Sequence, residues 1–189
     1  MSVAPALHPQ LEAVRKEFAA AQDRLCVLAQ TVPETHWARR PDPARWSIAE
    51  CVGHLNLTAE AYLPLLLAAL QRGRELGGPA PRRYRRDVLG WLMWRMAGPP
   101  VRHRVKTKPA FAPTATMPRP QLLSEFDRLQ AAQESCVVEA NGMKLGQLWI
   151  RSPFDRRIQY NMYSCLTILP RHQHRHLWQA EQLWASMAH

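Results

Sequence analysis

The chain holds eight histidines, and three of them are spaced for chemistry. His172 and His176 stand four residues apart in a segment of helical pattern, so their imidazoles project from one face about one turn from each other. That spacing suits two nitrogen ligands on one transition-metal ion. His54 lies about two turns past a capped helix start, where a facing helix of a bundle can bring it opposite the pair. Three neutral imidazoles leave coordination positions open for water or substrate, the pattern of a catalytic rather than a structural zinc site. The spacing alone leaves a plainer reading open and favours it: a His-rich run on a solvated helix face. His174 points about 200° around the helix from His172 and makes a poor third ligand.

The elements that must position these side chains are helical. From Pro9 to about Gln30, Leu11, Val14, Phe18, Ala21, Leu25 and Leu28 draw one apolar stripe at alternating three- and four-residue steps. A connector with Pro33, Pro41 and Pro43 runs from Thr31 to Arg45. Ser47 and Glu50 form a capping-box pattern that opens a second helix, expected to reach Leu76, stop at Gly77-Gly78-Pro79 and kink at Pro64. Trp46, just before the cap, is placed to pack on the first turn as a staple. A basic, proline-rich crossover follows over about residues 77–120. It includes a short helix from Asp87 to Met96 and an extended stretch from Val101 to Pro120. A third long helix starts at Pro120 and ends near Asn141-Gly142, carrying Leu122, Phe126, Leu129, Gln133, Cys136 and Ala140 on one stripe. After a linker from Met143 to Ile158, a last helix runs from about Gln159 to Met187, with Pro170 expected to separate or bend its first two turns. No segment alternates convincingly enough for a sheet. Four amphipathic segments make the expected fold all-α, a four-helix bundle in a single domain over residues 1–189 with a long crossover between its second and third helices.

Charge separates the chain into unequal parts. Its 25 Lys and Arg against 15 Asp and Glu give a net charge of +10, yet residues 72–108 alone contribute +9 of it. A nucleic-acid-binding domain with a uniformly basic surface is not expected from that distribution. A hydrophobic fraction of 47% with 21% charged residues suits a globular protein rather than a disordered one. Every apolar run is too short to span a bilayer, and the first residues lack the pattern of a secretory signal. The four cysteines (Cys26, Cys51, Cys136 and Cys165) lie far apart, which fits reduced thiols in a cytoplasmic protein. Within the basic segment, Arg82, Arg83, Arg85 and Arg86 lead into Trp91, Met93, Trp94 and Met96. That juxtaposition is suited to anionic lipid or an acidic partner. The plainer reading, which we favour on sequence, has Trp91, Leu92 and Trp94 covering the bundle and the arginines solvated.

The run from Trp46 to Leu55, with its Trp-Ser, short apolar spacer and His-Leu, resembles the second-helix signature of the DinB/YfiT-like superfamily. The run from His172 to Gln179, two histidines four apart followed by a Gln, resembles that superfamily's fourth-helix pattern. Lys106 to Pro120 and the Ser152-Pro153-Phe154 turn are similar to its DinB_2-type members. The resemblance covers most of the chain, and the order and separation of its motifs are more specific than any one of them. It implies a four-helix bundle, often dimeric, with one divalent metal (nickel, zinc, iron or manganese) on His54, His172 and His176.

Such an ion with open positions can lower the pKa of bound water toward about 7, or bind and deprotonate a thiol. Relatives in the resembled family include transferases and isomerases that use low-molecular-weight thiols such as bacillithiol or mycothiol. The resemblance therefore implies a thiolate attacking an electrophilic small-molecule substrate, with metal-assisted hydrolysis as the alternative. A non-catalytic metalloprotein or interaction module is a third reading. No acidic side chain marks itself as a general base. Thr58, Tyr62, Asn161 and Cys165 can line the same cavity, and each has a plain structural alternative in core packing or backbone hydrogen bonding. Cys51, three residues before His54, is a conceivable fourth ligand but more simply a buried thiol.

Overall fold

A computed structural model of the chain describes residues 6–43, 45–79, 81–100, 107–113 and 117–187. The described residues form six α-helices, two short 3-10 turns and one small hairpin. Four helices are long: α1 (Pro9–Thr31), α3 (Ile48–Leu76), α5 (Arg119–Glu139) and α6 (Met162–Met187). Two are short: α2 (Glu34–Trp37) and α4 (Val88–Ala97). The apolar stripe read for the first helix is buried as expected, from Leu11 to Leu28. The start of α3 is a complete capping box. The Glu50 backbone N–H donates to Ser47 Oγ at 3.2 Å, and the Ser47 N–H donates to the Glu50 carboxylate at 2.8 Å. Arg40 reaches across from the connector to pair with the same carboxylate.

The way the core divides fixes the helix directions. One apolar cluster gathers Leu11 to Phe18 of α1, Tyr62 to Leu70 of α3, Cys136 and Val137 of α5, and Met162 to Leu169 of α6. The other gathers Ala21 to Ala29 of α1, Ile48 to Leu55 of α3, Leu122 and Phe126 of α5, and Leu177 to Leu183 of α6. Thus α1 and α6 run one way and α3 and α5 the other. Helix α3 packs on α5 and α6, and α1 packs on the same two. Because α3 and α5 are parallel, the chain must return the length of α3 between them, and residues 77–118 make that return. Helix α4 spends its inner face, Met93, Trp94 and Ala97, on the first cluster. No helix among the described residues is long and apolar enough to cross a membrane.

Three expectations need correction. The connector holds a helical turn, α2, whose Trp37 is 2% exposed in the second cluster; a single buried tryptophan secures a turn too short to show a period. The linker before the last helix holds a two-stranded antiparallel hairpin, Trp149–Arg151 with Gln159–Asn161, in which Ile150 faces Tyr160. Three residues per strand are too few for alternation to register, and α6 consequently begins at Met162 rather than Gln159. Pro170 does not divide α6. Losing one backbone bond and crowding the preceding turn costs about 3 kcal/mol in an exposed helix. Here Met162 to Pro170 is buried without a break, so packing on every side outweighs it. Of the extended stretch expected over 101–120, residues 101–106 and 114–116 lie outside the described residues.

Candidate metal centre

Between the two apolar clusters, the inner faces of α3, α5 and α6 turn polar. Asn56, Thr58, Gln130, Gln133 and Gln173 are all buried there. Gln130 donates to the Phe18 carbonyl at 2.6 Å and accepts from Gln173 at 2.8 Å, and Asn56 donates to the Leu122 carbonyl at 3.0 Å. His54, His172 and His176 lie in this layer, and one ligand nitrogen from each comes within 4.8 Å of the others. The antiparallel run of α3 against α6 brings them together; the four-residue step on α6 then sets two imidazoles on one face.

Each ring is held differently. His54 is buried, and its Nδ1 lies 2.8 Å from the Phe111 carbonyl oxygen in the 3-10 turn Pro109–Phe111. A carbonyl only accepts, so Nδ1 carries the proton and the Nε2 lone pair is left for a ligand, the arrangement that orients a metal-binding histidine. His172 and His176 bring their Nε2 atoms to 3.1 Å. Two bonds of about 2.0 Å meeting at a tetrahedral angle would separate their nitrogens by about 3.3 Å. His176 Nδ1 is buried without a hydrogen bond of ordinary geometry, and Gln179 is the polar side chain that acts on this ring. Among the described residues no carboxylate or thiol joins the cluster.

Aromatic rings enclose it. Trp46 lies 4.9 Å from the His54 ring and stacks on His176 at 5.8 Å. Phe154, in the hairpin loop, lies 6.1 Å from His54 and 6.0 Å from His172, and packs on Phe111 at 4.2 Å. His54 and His176 are buried, while His172 keeps partial exposure. Burial pushes all three imidazole pKa values down, those of His172 and His176 well below the ordinary value. Neighbouring imidazoles and Arg175 add to the effect at His172 and His176, while the Phe111 carbonyl opposes it at His54. The rings are therefore neutral near pH 7, with lone pairs available. Three converging neutral nitrogens, one oriented from behind by a backbone carbonyl and with no carboxylate joining them among the described residues, fit a divalent cation.

The sequence profile of one protein family, described as the DinB superfamily, matches residues 17–180. The chain belongs to the DinB superfamily. No curated protein and no solved structure matches it. The DinB match spans all three histidines and the segments on either side that orient and enclose them.

The remaining candidates have identifiable partners. Thr58 sits one turn after His54 and donates its hydroxyl to the His54 carbonyl at 2.8 Å. Tyr62 hydrogen-bonds Tyr160 and, at 3.3 Å, Ser152, and its ring lies 6.1 Å from Phe154. Asn161 donates to the Arg85 carbonyl at 3.0 Å and accepts from the Ser164 N–H at 2.8 Å. Cys165 is fully buried in the first apolar cluster, and burial pushes its thiol pKa far up, leaving it protonated. Cys51 belongs to the second cluster, with its pKa pushed up to about 12 by burial. Arg82, Arg83 and Arg85 are exposed, whereas Arg86 lies over the Trp94 ring at 4.3 Å and donates to Thr167 at 2.8 Å.

Three residues of this DinB site carry roles that spacing did not reveal. Trp46 walls the histidines as well as preceding the cap, and Phe111 and Phe154 orient and enclose them from distant segments. Phe111 and Phe154 fall within stretches that resemble the superfamily, which is the signal that could have found them.

Proposed function

We propose that this protein is a metal-dependent enzyme whose three histidines hold one divalent ion and whose reaction joins a low-molecular-weight thiol to an electrophilic small molecule. The convergence of three neutral imidazole nitrogens, two of them on buried residues, within 4.8 Å carries the reading. A divalent ion held by three imidazoles supplies Lewis acidity that lowers the pKa of a thiol or water at its open positions. His54, His172 and His176 would be its protein ligands. Phe111 fixes the His54 tautomer through its carbonyl. Trp46, Phe111 and Phe154 limit water around the ligand nitrogens and offer an apolar wall to a substrate entering beside His172. In the overall reaction a carbon–sulfur bond forms, the electrophile's leaving group departs with its electron pair, and the thiol proton passes to solvent. The resemblance implies nickel, zinc, iron or manganese as the ion and a homodimer as the assembly.

The test is a thiol-transfer assay on protein loaded with nickel, zinc, iron or manganese in turn, using a low-molecular-weight thiol and an activated aryl halide. We expect metal-dependent thioether formation, detected by mass, that His54→Ala abolishes. Metal-dependent ester cleavage with no thioether would favour hydrolysis instead. A metal-loaded protein that catalyses neither reaction would leave a non-catalytic metalloprotein.

A further inference from the structure

Helix α4 has two unlike faces. Gly90, Met93, Trp94 and Ala97 turn inward, with Met93, Trp94 and Ala97 packed on the first apolar cluster. Outward, Val88 is 86% exposed, Trp91 50%, Leu92 42% and Met96 48%. These positions share the outward helical face, with the exposed Arg95 among them, so they form an apolar stripe interleaved with a cation rather than scattered residues. On sequence the plainer reading had Trp91 and Leu92 covering the bundle; only Trp94 does so.

Cations surround the stripe. Arg82, Arg83, Arg85 and Arg95 are exposed, and none of them enters an ion pair among the described residues. Beside the stripe opens a concavity of about 390 Å³ lined by Arg83, Arg85, Arg86, Tyr84, Tyr163 and Trp91. Trp91 belongs to both features, so a basic, aromatic-walled hollow and an apolar stripe meet at one residue. Asp87 does not line the hollow; its carboxylate keeps its charge and accepts from Gly90, Asn161 and Ser164, against three arginines in the lining.

We propose that this surface docks on membranes containing anionic phospholipid. The arginine-lined hollow would take the phosphate of a headgroup, and Val88, Trp91, Leu92 and Met96 would enter the interfacial region beside it. Charge and apolar exposure select this occupant together. Arg82, Arg83, Arg85 and Arg95, exposed and without an ion pair among the described residues, attract an anionic surface and disfavour a second copy presenting the same face. A purely soluble polyanion would satisfy the arginines and leave the stripe in water. The inference does not depend on the metal site.

Vesicle co-sedimentation tests it, comparing phosphatidylcholine alone with phosphatidylcholine containing phosphatidylglycerol, at low and high salt. We expect the protein to pellet with the anionic vesicles only, and high salt to weaken binding about tenfold or more. Trp91→Ser with Leu92→Ser, and separately Arg82→Glu with Arg83→Glu and Arg85→Glu, should each weaken it by about tenfold or more. Absence of binding to the anionic vesicles at low salt overturns the proposal. So does binding that ignores the Trp91 and Leu92 changes while heparin competes for it, the behaviour of a site for a soluble acidic partner. Should either variant fail to fold, the full-length wild type with acyl-brominated anionic lipid decides. Tryptophan quenching that Trp91→Phe largely removes supports docking, and no quenching overturns it.

Discussion

Along α3 and α6, two buried polar clusters lie about two turns apart, and their hydrogen bonds are organised in opposite ways. Around Tyr62 and Asn161 the groups pair off. Tyr62 meets Tyr160 and Ser152, and Asn161 joins Ser164 to Arg85. Asp87 accepts from the Gly90 N–H at 2.9 Å, the Asn161 N–H at 2.8 Å and the Ser164 hydroxyl at 2.8 Å. Around His54 the ring nitrogens converge on one another, with His54 Nδ1 held from behind by the Phe111 carbonyl. The Nε2 atoms of His172 and His176 face each other, and His176 Nδ1 has no ordinary partner. A buried polar network whose members satisfy one another holds a fold together; one whose acceptors converge on a common point is arranged for something else to fill it. Both clusters lie between α3 and α6; they differ in residue chemistry and in the hairpin and crossover groups that satisfy the Tyr62 cluster.

That contrast can be broken at either cluster. Asp87→Ala strands three donors and removes the α4 cap, and should cost about 3 to 4 kcal/mol in denaturant unfolding with no change in metal binding. Burial pushes the Asp87 pKa up, but the Asn161 and Gly90 N–H groups and the Ser164 hydroxyl more than offset it, leaving the net value below the ordinary 3.8. A lowered folded value means this contribution is fully present above pH 3.8 and is lost as pH falls through the folded value. Asp87→Asn should therefore flatten the acid side of the stability profile.

The histidine cluster should respond in the reverse sense. A divalent ion at about a hundred times its Kd adds about 2.7 kcal/mol to the wild type. For a chain of this size, that raises Tm by roughly 5 to 10 °C in a thermal scan. His172→Ala should abolish the increment while leaving the metal-free Tm nearly unchanged. Tyr62→Phe should cost about 1 to 2 kcal/mol through its lost partners, read by urea unfolding, and leave metal affinity intact. Thr58→Val should have the smallest effect, about 0.5 kcal/mol by the same measurement, because its hydroxyl only supplements a helical carbonyl already bonded along α3.

The two clusters were unequally legible from sequence. His172 and His176 declare themselves by a four-residue step, and His54 by its position after the Ser47–Glu50 box; these are local signals on long helices. The resemblance to the DinB/YfiT-like superfamily joined them before any geometry was known. The Tyr62 network depends on Ser152 and Tyr160, both supplied by a hairpin too short for alternation to show. The same holds for the enclosure of the histidines. Phe111 contributes a backbone carbonyl, which residue type does not advertise, and the role of Trp46 appears only when α6 is laid against α3. The helical stripes were readable because burial on one face repeats at 3.6 residues. The α2 turn shows no period because one buried tryptophan, Trp37, secures it, and Pro170 stays within α6 because burial throughout Met162 to Pro170 outweighs its cost.

The central claim is that His54, His172 and His176 form one metal site, and metal content tests it most directly. Untagged protein purified without chelator, loaded with each candidate divalent ion and desalted, would be measured by plasma mass spectrometry beside His54→Ala/His172→Ala. We expect about one equivalent per chain in the wild type for at least one ion, and near none in the folded variant. A wild type that retains none of these ions, or a variant that retains as much as the wild type, would contradict the claim.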